Sequence, residues 1–119
     1  MIVEIKMKLP SFNDYVNLCR TNRYKAAKFK KRTEDEIMLF FGNLPRFEKP
    51  IKIEFTWVES NKRRDLDNVC FAKKFILDAL VKAGKLTDDN HRFVQGFTDK
   101  FEYGKETKVI LNIKEVEND

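Results

Sequence analysis

The stretch from Ile51 to Val58, IKIEFTWV, alternates apolar and polar residues, so that Ile51, Ile53, Phe55 and Trp57 share one face of a strand. A strand with that much apolar surface on one side requires neighbouring strands and a covering layer. The opening, Ile2 to Leu9, has the same period of two: Ile2, Glu4, Lys6 and Lys8 alternate with Val3, Ile5, Met7 and Leu9, and Pro10 ends the run. Two further strands are predicted near Phe93 to Glu102 and Lys108 to Glu115, joined by a turn at YGKE.

Between these strands lie segments of helical character. SFND, with Ser11 as cap and Asp14 three residues on, reads as a capping box that opens a short helix through about Cys19. From Asn22 to Phe41 there is no Gly or Pro, and Ala26, Ala27, Phe29, Ile37, Phe40 and Phe41 stand among charges. This is one long helix or two abutting ones, closed by Gly42 and Pro45. After a polar loop, ESNKRR, a further helix is predicted from about Asp67 to Ala83, ending at Gly84, with KLTDDNHR as the next loop. The expected architecture is α+β: a single domain over residues 1–119, with a mixed β-sheet and one layer of helices packed on it. A chain of 119 residues with eleven phenylalanines buries a core without disulfides or a structural metal.

No apolar run approaches the roughly 20 residues that span a bilayer, and the start lacks a signal-peptide pattern, so a cytoplasmic protein is expected. Cys19 and Cys70 have neither zinc-site spacing nor a disulfide framework around them and read as reduced, structural thiols. A single histidine, His91, excludes a His-rich zinc site. The formal charge of +5, from 24 Lys and Arg against 19 acids, fits a polyanionic partner, though such charge also serves solubility.

Charge distribution says more than the total. Arg20, Arg23, Lys25, Lys28, Lys30, Lys31 and Arg32 form a basic block ahead of the acidic Glu34 to Glu36. It is either a solvated helix face or a surface that tracks phosphates. A second concentration, KRRDLDN, places Asp65 and Asp67 behind Arg63 and Arg64, at the start of the predicted helix, with Asp88 and Asp89 just past its end. On a helix turning about 100° per residue, Lys74 and Asp78 each fall within about 20° of Asp67, while Val69, Ala72, Ile76 and Ala83 make the opposite, apolar face.

Aspartate in a first helical turn has an ordinary explanation, since a carboxylate caps free N–H groups and favours the positive end of the dipole. That accounts for one of the pair. Two ionised carboxylates close together are costly unless a cation lies between them, and Mg²⁺ is commonly held by carboxylates plus water beside a phosphate. An EF-hand is disfavoured: counting from Asp65, Cys70 stands where Gly belongs and Ile76 where the bidentate Glu belongs.

The order of these motifs resembles the RusA-type Holliday junction resolvases. The resemblance rests on RRDLDN at Arg63 to Asn68, Lys74 with DAL at Asp78 to Leu80, KAG at Lys82 to Gly84 and DD at Asp88 and Asp89. The segment LPSFNDYVNLCRTNRYKAAKFKK is similar to the amino-terminal part of a prophage-associated branch. The resemblance implies a small homodimeric, Mg²⁺-dependent endodeoxyribonuclease that cuts four-way DNA junctions by paired phosphodiester hydrolysis. It implies Asp65, Asp67 and Asp89 as metal-binding catalytic acids and a helix lysine that acts on the phosphate.

Two departures stand out. In better-known members the lysine comes four residues after the second aspartate, a place held here by Phe71, and the segment before DAL is three residues longer. Lys74, seven residues after Asp67, shares its helical face and is the expected catalytic lysine, with Lys73 about 100° away as the alternative. The proline-rich basic opening of many relatives is missing, so DNA contact is expected from Arg20, Arg23, Lys28 and Lys31 together with Arg63 and Arg64. The rival readings are a non-catalytic DNA-binding module whose acids are caps and ion-pair partners, and a general nuclease acting on flaps or forks.

Overall fold

A computed structural model describes residues 1–117. In it β2 (Ile51–Glu59) runs parallel to β3 (Val94–Tyr103) on one side and antiparallel to β4 (Lys108–Glu115) on the other, and β1 (Ile2–Ile5) pairs antiparallel with β4. The order β1-β4-β2-β3 makes a four-stranded mixed sheet in a single α+β domain. The alternation in β2 sorts as its sequence demands: Ile51, Ile53, Phe55 and Trp57 are at most 2% exposed, while Lys52 points to solvent. Val109, Leu111 and Ile113 of β4 extend that apolar face, and Ile37, Phe41, Phe75, Ile76 and Leu80 join the same core from the helices. Each such side chain contributes about 1.5–3 kcal/mol by leaving water.

The first strand is shorter than its periodicity. Met7 N bonds back to the Ile5 carbonyl at 3.0 Å, which turns the chain out of the ladder after Ile5, yet Leu9 still reaches the core at 4% exposure. Side-chain alternation therefore outlasts strand pairing.

Helix α1 (Phe12–Thr21) begins as its sequence indicates, with Ser11 Oγ accepting from Asp14 N at 3.2 Å. Asn22 then separates α1 from α2 (Arg23–Met38). Its extended backbone breaks the helix, its N–H donates to Leu18 O, and its side chain accepts from Lys25 N at 3.0 Å. One residue thus ends one helix and caps the next, which decides between one helix and two. A 3₁₀ turn, Leu39–Phe41, continues α2 and delivers Phe41 to the core.

The single helix expected from Asp67 to Ala83 is instead two, α3 (Leu66–Cys70) and α4 (Lys73–Lys82). At the joint the hydrogen bonds span three residues rather than four, from Ala72 N to Val69 O and from Lys74 N to Phe71 O, at 3.4 and 3.3 Å. This is a 3₁₀-like tightening. Phe71 sits there in a cluster of rings, edge-on to Phe12 at 5.1 Å and to Phe75 at 5.9 Å, which ties the joint to α1.

The YGKE turn is present, but the strands it joins are not neighbours. β3 and β4 flank β2, so residues 104–107 pass over the end of β2, where Gly104 N donates to Glu59 O at 2.9 Å. The α3–α4 segment is correspondingly the crossover between the parallel strands β2 and β3. Among the described residues no helix is long and apolar enough to cross a membrane.

Candidate functional site

The loop after β2 brings the RRDLDN motif to the start of α3. Arg64 does not point freely outward: its Nε donates to Glu59 Oε1 at 2.7 Å and its Nη1 to Leu9 O at 3.0 Å. With 19% of the Arg64 side chain and 12% of that of Glu59 exposed, this partly buried pair anchors the loop between β2 and the chain entering α1. Arg63 is exposed. Asn68 is also structural, its Oδ1 accepting from Asn13 N at 3.1 Å in the first turn of α1.

Asp65 occupies the cap position of α3 in extended conformation, but its side chain makes no capping hydrogen bond. Asp67 follows in the first turn, and both are exposed. The ordinary reason for an aspartate here is therefore not exercised by Asp65. Carboxylate oxygens suit a hard cation, because Mg²⁺ characteristically takes one or two carboxylates and completes its shell with water and phosphate. By donor chemistry the pair fits the ion that the motif implies.

Asp89 is held differently. Its Oδ2 accepts from Lys74 Nζ at 3.0 Å, and the same ammonium lies 3.0 Å from Asp78 Oδ1. Asp78, one turn further along α4, also meets Lys30 of α2 at 3.2 Å. The chain Lys30, Asp78, Lys74, Asp89 thus links the basic helix to the loop after α4. Hydrogen bonding to Asp78 first, and to Asp89 next, holds the Lys74 pKa above the usual lysine value. Asp88 is a loop cap: its Oδ1 accepts from Asp89 N at 2.7 Å and its Oδ2 from Asn90 Nδ2 at 3.1 Å. Among the described residues no three His, Cys, Asp or Glu side chains gather as a ready metal-binding group. Asp65, Asp67 and Asp89 are therefore not brought together as one, whereas Lys74 and Asp89 are.

Lys73 takes another direction. Its Nζ lies 2.7 Å from Asp99 Oδ2 and 3.9 Å from the centre of the Phe97 ring, with 15% of the side chain exposed. Asp99 Oδ1 accepts from Trp57 Nε1 at 2.8 Å. Sequence reasoning passed over Asp99, although a signal was there. It falls on the Phe97, Phe101 face of β3, a carboxylate on an otherwise aromatic row. Cys70 stands nearby: burial first, then the Asp99 charge, push its thiol pKa up, with Lys73 opposing and Asp67 adding to the rise. Neither Cys70 nor Cys19 forms a disulfide.

The basic block divides. Lys30 is engaged by Asp78, while Arg20, Arg23, Lys25, Lys28, Lys31 and Arg32 are exposed. Because α2 packs on α4 through Lys30–Asp78 and Lys82–Asp35, that cationic helix borders the lysine–acid chain. No protein-family model matches this chain, and no curated protein matches it.

Proposed function

We propose that this chain is a Mg²⁺-dependent endodeoxyribonuclease with a RusA-like fold that resolves four-way DNA junctions in recombination and repair, acting as a cytoplasmic homodimer. The observation that carries this reading is the 3.0 Å contact between Lys74 Nζ and Asp89 Oδ2, which joins two motif residues from separate elements. Asp65 and Asp67 are the other acids of the site, carried on the loop that Arg64 anchors. When bound there, Mg²⁺ supplies charge neutralisation at the phosphodiester and a lowered pKa for an attacking water. The protein's own part is to hold the acids in place and to offer the Lys74 ammonium to the phosphate. Arg20, Arg23, Lys28, Lys31 and Arg63 track the backbone without reading bases. Two symmetric cuts need two sites in fixed relation, which a two-fold dimer provides.

The engagement of Asp89 by Lys74 also favours a second reading, a DNA-binding module in which these acids serve only as ion-pair partners. A nuclease acting on flaps or forks would use the same residues as the first. One assay separates the three: incubation of a four-way junction, duplex, fork and single strand with protein and Mg²⁺. Paired cuts confined to the junction support the proposal. Cutting of the fork in preference to the junction gives the general nuclease, and salt-sensitive binding without cutting gives the module.

A further inference from the structure

The lysine next to Lys74 has a separate set of partners, on a strand that the motifs do not include. Trp57 Nε1 fixes one oxygen of Asp99 at 2.8 Å, and the other oxygen receives Lys73 Nζ at 2.7 Å. Beneath the ammonium lie the rings of Phe97, 3.9 Å away, and Phe55, 5.3 Å away. Lysine stems are flexible and lose rotamer freedom when fixed. Here the ammonium is held by one carboxylate, itself held by an indole, and by two aromatic faces. Lys74, 60% exposed and shared between two carboxylates, is held far less.

Electrostatics separates the two lysines as well. Lys74 belongs to a chain in which Asp78 is shared with Lys30 and Asp89 completes the balance, whereas Lys73 has Asp99 alone on its ammonium. Lys73 also begins α4, immediately after the joint that follows Asp67 and Cys70, so it stands on the α3 side of the crossover.

We infer that Lys73 is a second phosphate-contacting lysine of this site and that Asp99 is the residue that positions it. The inference rests on the DNA-cleaving reading given above. The bland alternative is a clasp: β3 is an edge strand, and Lys73–Asp99 ties it to the helical layer. A clasp and a positioning residue respond differently to loss of the Asp99 charge. Asp99→Asn keeps an oxygen to accept from Trp57 and keeps the shape, but frees the Lys73 charge.

The test measures four-way junction binding across salt concentrations and single-turnover cleavage at saturating protein, for wild type, Asp99→Asn and Lys73→Gln. Thermal melting and the emission of Trp57, the sole tryptophan, verify the fold. Lys73→Gln is expected to lower the salt slope by about one unit and to slow cleavage about tenfold or more. Asp99→Asn is expected to bind more tightly, because the ammonium is no longer offset, and yet to cleave about tenfold more slowly, because it is no longer held. A clasp cannot separate the two effects. Wild-type slopes and rates in both variants would overturn the inference and leave the nuclease reading standing, as would parallel losses of binding, cleavage and melting temperature. If wild type binds without cutting, the nuclease reading fails while the salt slope and the affinity of Asp99→Asn still decide Lys73. If wild type binds no DNA, both fall.

Discussion

Glu59 and Arg64 close a ring across the loop that leads from β2 to α3: Arg64 Nε and Nη2 each lie 2.7 Å from Oε1 of Glu59. A third contact, from Nη1 to Leu9 O at 3.0 Å, fastens the same guanidinium to the segment before α1. The next residue is Asp65. Placement of the acids thus depends on a basic residue whose donors are largely occupied within the protein.

Arg64→Ala should therefore lower stability by about 1–3 kcal/mol, the worth of charge-assisted hydrogen bonds removed from a partly buried acceptor. It should also slow cleavage, because Asp65 loses its anchor. Arg63→Ala, at an exposed position, should leave the unfolding midpoint unchanged and weaken only DNA binding. Chemical denaturation of the two variants side by side is the measurement.

Replacing Asp65, Asp67 or Asp89 by Asn should abolish Mg²⁺-dependent cleavage while junction binding survives, because the cationic face of α2 is untouched. Asp88→Asn should be mild, its carboxylate being a loop cap. Near wild-type cutting by Asp67→Asn would remove the metal assignment.

The cationic helix gives a prediction read in binding alone. Alanine at Arg23, Lys28 and Lys31 should weaken DNA of different sequences alike, each change reducing the salt slope by roughly one unit. An unchanged slope in the triple variant would return these residues to a solvated face.

Lys74 supplies a pH dependence with a definite sign. Its folded pKa is raised, by Asp78 first and Asp89 next, so the stability it contributes is fully present below the unfolded lysine value. That contribution is lost as pH rises from about 10.4 through the higher folded value. The difference in urea midpoint between wild type and Lys74→Gln should accordingly shrink at strongly alkaline pH. With 60% of the Lys74 side chain exposed, solvent screening keeps it small throughout.

The strands were legible because burial on one face writes itself into alternate residues. β4 matches its expected bounds, β2 runs one residue further at its end, and β3 is shifted by one residue at both ends. Their neighbours were not legible, since no local pattern says that β2 inserts between β3 and β4. Likewise the apolar spacing from Val69 to Ala83 runs through the joint at Phe71 without a mark, because a 3₁₀-like turn keeps side chains on nearly the same face. On a continuous helix Lys74 shares the face of Asp67, but the joint at Phe71 separates them and Lys73 turns to Asp99. Asp65, Asp67, Lys74 and Asp89 are singled out by their motifs, and of these the fold joins Lys74 to Asp89. Asp99 and Glu59 act through partners 26 and 5 residues away that only the fold brings to them.

The last strand in the chain lies inside the sheet. β4 supports β1 on one side and β2 on the other, with Ile2 opposite Asn112 and Phe55 opposite Leu111. During synthesis β1 gains its partner only once β4 has emerged, and two of the three strand pairings form only then. Such distant pairing is slow relative to local helix formation. A truncated chain lacking β4 would hold its acids and lysines on helices with no completed sheet beneath them, so assembly of the site waits for β4.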